Sequence, residues 1–292
     1  MQRSQLVKRL RRRAGTFRQA VFGPWYARRA QRRLDRPRVR RRHDLPGELI
    51  VSLTSHPARF PMLHLTLACL LDQTVKADRT ILWIANRDVD KLPPAVRRLE
   101  NRGLEIRLCD DLRSFKKLVP ALGAFPDAFI ATADDDLYYS ADWLDQLVAG
   151  LAPDDGVIPC HRAHRIKRKP SGGLAPYAEW TAKVHDERAR TPSLDILATT
   201  GAGALFPPRS LDARAIEREL FEHLCADSDD LWFYWCARMA GTKSRKVGGR
   251  SILITWPGTQ QSSLWDSNEA GGNDRAIAAL EERFGYLDFD SG

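Results

Sequence analysis

The sequence reads as an α/β chain with a mainly parallel, Rossmann-like sheet and helices on both faces. Two observations predict this. From residue 48 onward, short apolar runs of strand character alternate with helical segments, the signature of successive β–α units. The fourth apolar run then passes straight into three adjacent carboxylates, Asp134-Asp135-Asp136. In sheets of this kind ligands bind beyond the carboxyl ends of the strands.

The elements follow in order. Leu49-Ile50-Val51-Ser52-Leu53 is the first strand and Met62 to Leu71 the first helix of the domain. Thr80-Ile81-Leu82-Trp83-Ile84 is the second strand. Pro93-Pro94 opens a helix through Arg102, since proline suits a first helical turn. Leu104 to Leu108 is the third strand, after which Ser114 is expected to cap a helix running to Leu122. Phe129 to Ala133 is the fourth strand, and a helix from Ala141 to Leu151 follows the acids. The second half is less regular. A helix from Leu211 to Leu224 leads to Asp227-Ser228-Asp229-Asp230-Leu231-Trp232, which begins another helix whose N-terminus favours negative charge. A strand at Ser251–Trp256 and a helix at Asp274–Phe284 complete the chain. No internal repeat is present.

With 292 residues, 43% hydrophobic and 28% charged, the chain is long enough for a sizeable core. Its net charge of +9 is unevenly spread. Residues 1–43 hold 16 of the 46 Lys and Arg and one acid, Asp35, which makes this arm +15 and leaves the remainder at −6. The reading is therefore two parts: a basic amphipathic arm over 1–43 and a single domain over 44–292. In the arm, Leu6, Leu10, Phe17, Val21, Trp25 and Tyr26 follow helical spacing among the arginines. The five cysteines form no CxxC pair and sit mostly in apolar runs. They are expected in the core of a protein from a reducing compartment, not around zinc. No apolar run reaches the roughly 18–20 residues needed to span a bilayer, and the Arg-rich start is not followed by the apolar run of a signal peptide. The expected location is cytoplasmic.

Three adjacent acids at a strand end repel one another and call for positive charge. Oxygen-only ligands with no cysteine nearby suit a hard ion, Mg²⁺ or Mn²⁺. Such ions commonly complete their shell with substrate phosphates. The expectation is a metal–diphosphate site at the sheet edge; the alternative is a solvated acidic turn.

Four motifs in order sharpen this: Asp110-Asp111-Leu112-Arg113-Ser114-Phe115-Lys116-Lys117-Leu118, the Asp triplet, Gly201-Ala202-Gly203, and Asp229-Asp230-Leu231-Trp232. Over roughly residues 48–285 the chain resembles glycosyltransferases of the GT-A, nucleotide-diphospho-sugar transferase fold, of the bacterial polysaccharide and lipopolysaccharide type. The motif order is also similar to the β1,3-galactosyltransferase type. The resemblance implies a metal-dependent, inverting transfer of a sugar from a nucleotide-sugar donor to a hydroxyl of a glycan or lipid-linked acceptor, in cell-surface polysaccharide synthesis. It implies Asp134 and Asp136 as the metal-binding pair, with Asp135 toward the donor. Asp230, or Asp229 beside it, is implied as the base that takes the acceptor proton. Repulsion from Asp229 is expected to raise the pKa of Asp230; the alternative is that this acidic knot only caps its helix, through Asp227 or Ser228. For the donor the resemblance implies Lys117 or Lys116 at a phosphate or the base, Asp111 at the base or ribose, and Thr54, Ser55 and Arg59 after the first strand. Gly201 and Gly203 permit close backbone approach to an acceptor sugar, or equally serve a β-bulge or tight strand packing. His164, with His161, is expected to touch acceptor or phosphate. No histidine follows His223 to match the family's late metal-binding one; Asn273 or Asp274 could take that role, though Asp274 more simply caps the last helix.

Two competing readings differ in class. A nucleotidyltransferase on a related sheet commonly carries a Gly-rich loop after the first strand, which Ser52-Leu53-Thr54-Ser55-His56-Pro57 lacks. A nucleic-acid binder would use the basic arm, but the net acidic remainder disfavours it. The arm is instead expected to lie on an anionic membrane surface, placing the protein peripherally at the inner face of the cell membrane.

Overall fold

Side chains of the first strands divide between two cores, one on each face of a sheet. Ile50, Ile81, Trp83 and Ile130 join one buried cluster, while Leu49, Val51, Leu53, Leu82 and Ile84 join the other. Alternation with both sets buried is what a strand covered on both faces requires. The computed structural model describes residues 22–36, 38–151, 156–250, 253–259 and 271–287.

The strands are β1 (Leu49–Thr54), β2 (Arg79–Ala85), β3 (Leu104–Cys109), β4 (Phe129–Ala133), β5 (Ile158–Cys160), β6 (Ala163–Arg165), β7 (Ile196–Ala198), β8 (Ala204–Phe206) and β9 (Ser244–Lys246). Seven form one sheet in the order β3-β2-β1-β4-β8-β5-β9, and β6 pairs with β7 separately. The pairs β3-β2, β2-β1, β1-β4 and β5-β9 are parallel, and β8 runs antiparallel to both neighbours. The mainly parallel, doubly covered sheet is thus the one expected. Helix α1 spans 22–35. It is followed by α2 (Phe60–Leu71), α3 (Pro94–Arg97), α4 (Val119–Ala124), α5 (Trp143–Ala149), α6 (Arg218–Cys225), α7 (Asp229–Met239) and α8 (Asn273–Phe284). The first core lies under α4, α6, α7 and α8, and the second under α1, α2, α3 and α5.

Register places the chemistry. Ser52 pairs with Thr132 and Leu53 with Ala133, so the chain after β1 leaves the sheet beside the acids after β4. On the other side Thr132 pairs with Ala204, which brings the segment before β8 to the same edge.

Several expected elements differ. No continuous helix runs from Ser114 to Leu122. Residues Arg113–Lys117 form a 3₁₀ turn, and α4 begins only at Val119. Pro120 is the reason: inside a helix begun at Ser114 it would lack an N–H and clash with the carbonyl of residue 116. The helix after Pro93 tightens to 3₁₀ geometry at Arg98 and stops at Gly103, whose φ of +94° is left-handed. The stretch from Leu211 breaks at Glu217 into a 3₁₀ turn, Ala213–Ile216, and α6. The strand expected at Ser251–Trp256 is reduced, among the described residues, to a single bridge between Leu137 and Thr255; residues 251 and 252 lie outside them. Of the arm, Leu6, Leu10, Phe17 and Val21 also lie outside the described residues. The described part is seated on the domain. Tyr26 packs on Tyr138 with ring centroids 4.7 Å apart, and Arg33 Nη2 donates to Tyr138 Oη at 2.8 Å. The Arg38 amide and Nε both donate to Asp72. Four of the five cysteines are buried and all are free.

Phe115 anchors the 3₁₀ turn that precedes α4. It is 1% exposed and stacks on Phe221 with centroids 4.2 Å apart. Phe115→Ala is expected to cost about 3–5 kcal/mol, read by chemical denaturation. A loss below about 1 kcal/mol would contradict this anchoring.

Candidate active site

The 3₁₀ turn hands Lys117 to the sheet edge. Ser52 Oγ on β1 donates to the Lys117 carbonyl at 2.6 Å and accepts from Trp83 Nε1 at 3.0 Å. The strands therefore fix the lysine backbone. Lys117 is 6% exposed, and its ammonium lies 2.6 Å from Asp134 Oδ1 and 3.3 Å from Asp229 Oδ2. It also donates to Thr200 Oγ1 at 3.3 Å. Thr200 in turn gives its amide and its hydroxyl to Asp230 Oδ1, both at 2.8 Å. The Asp triplet and the Asp229–Asp230 pair, about a hundred residues apart in sequence, are thereby one cluster. Of the two candidate lysines only Lys117 reaches it; Lys116 is spent on Asp111, which also pairs with Arg87.

The other two acids of the triplet have a separate partner. Arg59, in the loop before α2, pairs with Asp136 and lies 3.5 Å from Asp135 Oδ1. Ser55 Oγ donates to Asp135 Oδ2 at 2.5 Å. The buried Nε of Arg59 has no hydrogen-bond partner among the described residues, leaving one directed donor in the site unused. The Thr54 hydroxyl is committed to the Trp83 carbonyl.

Electrostatics separate these acids. Burial works against the charge on Asp134, but Lys117 holds its carboxyl below the usual carboxylate range. Burial would lower Lys117; Asp134, Asp229 and Asp230 hold it well above its ordinary value instead. Burial pushes Asp135 up to about 6 against the pull of Arg59. Burial and then repulsion from Asp134 push Asp136 up to about 6. Asp230 is also raised to about 6, first by burial and then by Asp229, the direction expected from their adjacency.

Of the capping alternative, Asp229 and Asp230 do stand in the first turn of α7, where the helix dipole favours them, but no side chain caps the helix. Ser228 occupies the N-cap position without a side-chain cap bond, and its hydroxyl donates to Asn273 Oδ1. Asp227 pairs with Arg113. Asn273 is thus tied to Ser228, and Asp274 accepts from the Tyr177 amide. The glycines act on the site's own residues. A Cβ on Gly201 would sit 1.9 Å from Asp134 Oδ2, and one on Gly203, at φ +117°, would sit 2.3 Å from Trp143 Nε1. His164 lies in β6, 2% exposed and beside Tyr177, and burial pushes its pKa down to about 3. His161 bonds the Trp143 carbonyl. Among the described residues, His164 Nε2 has no hydrogen-bond partner. Sequence reasoning missed Thr200, the hydroxyl that couples Lys117 to Asp230, and Tyr139, which bonds the Asp134 amide and the Gly201 carbonyl. Thr200 stands directly before the Gly-Ala-Gly motif, and that adjacency was the available signal.

Among the described residues, no group of three or more His, Cys, Asp and Glu is disposed to hold a metal. The donor set still fits a hard divalent ion. It is all oxygen, Asp135 and Asp136 are buried against their preferred charge state, and such ions are commonly held by one or two carboxylates with substrate phosphates.

No protein-family model matches the chain, and no curated protein matches it by sequence. Solved structures give distant likenesses. The S. aureus protein TarS in complex with UDP aligns over 80% of this chain and 65% of its own, at 12% identity and a TM-score of 0.45. Glucosyl-3-phosphoglycerate synthase from Mycobacterium tuberculosis aligns over 83% and 82%, at 14% and 0.43. The inositol-1-phosphate CTP transferase from T. maritima aligns over 81% and 97%, at 8% and 0.37. Transferases of sugars and of nucleotidyl groups are both represented, so these likenesses do not choose between them.

The raised carboxyls set a pH dependence. A carboxyl with a folded pKa of about 6 binds protons in the native state before the unfolded state does, so native stability from that group rises as pH falls from about 7 toward 5. Without added metal, Asp136→Asn should flatten this rise in denaturation measurements at pH 7.5 and 5.5. An unchanged difference between the two pH values would contradict the assignment to Asp136.

Proposed function

We propose that the protein is a glycosyltransferase that moves a sugar from a nucleotide-sugar donor to a hydroxyl of a glycan or lipid-linked acceptor, with inversion. The observation that carries this reading is the Lys117 bridge between Asp134 and Asp229, which sets a diphosphate-type site and a candidate base side by side at the carboxyl edge of the sheet. The donor diphosphate lies against Lys117 and Arg59, whose positive charges offset the negative charge that grows on the leaving group. Asp134 and Asp136 would hold Mn²⁺ or Mg²⁺, which when bound would add further charge stabilisation to the diphosphate. Asp135, Ser55, Thr54 and Asp111 border the donor space, and the acceptor approaches from the side of Asp230.

Asp230 takes the proton. Both bonds from Thr200 go to its Oδ1, which leaves Oδ2 for the acceptor hydroxyl. A carboxyl raised to about 6 is a stronger base than an ordinary aspartate yet still ionised at neutral pH. The acceptor oxygen bonds to the anomeric carbon as the bond from that carbon to the diphosphate breaks, and Asp230 receives the hydroxyl proton. The work belongs to cell-surface polysaccharide synthesis at the inner face of a membrane. Among the described residues no helix is long and apolar enough to cross one.

Purified protein with Mn²⁺ and a panel of sugar nucleotides should release nucleoside diphosphate. Pyrophosphate release from a nucleoside triphosphate with a sugar phosphate would favour nucleotidyl transfer instead. Asp230→Asn should lower kcat about 10²–10⁴-fold with little change in donor KM. Near-wild-type Asp230→Asn beside inactive Asp229→Asn would move the base by one residue. Asp134→Asn and Asp136→Asn should weaken donor binding in folded protein; full activity of both, or unchanged turnover in EDTA, would exclude the metal.

A further inference from the structure

Helix α1 carries a stripe that neither the fold nor the acidic cluster uses. Phe22, Trp25, Arg29 and Arg32 recur at intervals of three and four residues, so they share one helical face, and Arg36 continues it directly after the helix, its amide bonded to the Arg32 carbonyl. All five are exposed. Phe22 and Trp25, 50% and 51% exposed, occupy one end, and the arginines the other. Arg29 bridges the two by lying over the Trp25 ring, 5.3 Å from its centroid.

The opposite face of the same helix explains why the stripe is held outward. Ala30 is fully buried, Tyr26 packs on Tyr138, and Arg33, 3% exposed, bonds the Tyr138 hydroxyl and the Cys69 carbonyl. The orientation of α1 on the domain is therefore fixed. Beside the stripe is a groove of about 670 Å³ lined by five arginines, Arg29, Arg32, Arg33, Arg36 and Arg38, and two acids. One of those acids, Asp72, is already bonded by Arg38. Among the described residues, none of Arg29, Arg32 and Arg36 forms an ion pair with a carboxylate. The buried Arg33 Nε in the same groove lies 4.0 Å from Asp72 Oδ2 and makes no hydrogen bond among the described residues. Like charges three and four residues apart on one helix face are destabilising, and an external anion relieves that repulsion.

We infer that this face of α1 is a docking surface for an anionic phospholipid membrane, with the arginine groove taking headgroup phosphates and Phe22 and Trp25 entering the interface. Charge complementarity supplies the sign of the partner. The flat stripe with aromatics at one end and guanidinium groups at the other selects a lipid surface, since interfacial helices combine these two groups. Nucleic acid is disfavoured because residues 44–292 are net −6. The same end of α1 is also linked to the site through its buried face. Gly23 lies against Pro257, and the amide of the preceding residue, Trp256, donates to the Asp136 carbonyl. Lipid binding would hold whatever reaction the domain catalyses; its use in reaching a lipid-linked acceptor rests on the transferase reading.

Co-sedimentation of the full chain with phosphatidylglycerol vesicles and with phosphatidylcholine vesicles tests this. Wild type should bind the anionic vesicles selectively. The triple variant Arg29→Gln/Arg32→Gln/Arg36→Gln should bind them at least tenfold more weakly, and at most on the order of a hundredfold. Phe22→Ala/Trp25→Ala should lose the part of binding that survives high salt. All five positions are exposed, so the variants should keep the wild-type circular dichroism. Wild-type affinity in the triple variant would overturn the proposal, as would equal binding to both vesicles. So would release from vesicles by millimolar inorganic phosphate, or preference for duplex DNA at the same salt.

Discussion

The buried ammonium of Lys117 is the interaction on which the site depends. It is the positive charge that lets Asp134, Asp229 and Asp230 share a small, partly buried space. Removing one partner of such a cluster leaves uncompensated buried charge, typically a loss of about 3–5 kcal/mol. The lysine is itself held by backbone geometry. Its carbonyl is bonded by Ser52, Ser52 by Trp83, and the turn that presents it is pinned in the core by Phe115. Strand register, aromatic packing and site charge are thus one chain of cause.

Space at the cluster is as constrained as charge. Gly201 lies so close to Asp134 that a methyl group would overlap the carboxylate, while its carbonyl accepts from Tyr139 and from the Asp134 amide. The carboxylate is therefore held by lysine on one side and by glycine backbone on the other. The same glycine that reads in sequence as room for a substrate is, in the structure, room for Asp134. Any acceptor must approach from the side of Asp230, where Oδ2 is the oxygen not bonded by Thr200.

Much of the first half was legible because its strands are long enough for their apolar pattern to show: β1 to β4 appear within about a residue of expectation, and the acids fall at the edge that a parallel sheet reserves for ligands. The second half was not. Its five strands have three residues each, too few for a period of two to stand out, and they are defined by pairing with distant segments. The site followed the same division. The Asp triplet announced itself, and the Asp229–Asp230 pair was visible as a second acidic knot. That Lys117 and not Lys116 joins them depends on Pro120 cutting the turn short, and that Thr200 bridges them depends on β8 lying beside β4. Local composition carries neither fact. The positive charge expected from a metal alone is partly supplied by Lys117 and Arg59, because the loop after β1 folds back over the triplet.

Calorimetric titration of nucleoside diphosphates, with Mn²⁺ present, into wild type and Lys117→Gln tests the central claim most directly, with folding of both checked by circular dichroism. If the Lys117 cluster is the diphosphate site, at least one nucleoside diphosphate binds wild type, and folded Lys117→Gln binds it at least tenfold more weakly. Equal affinity in the two proteins, or no binding of any nucleoside diphosphate to wild type, would contradict the account.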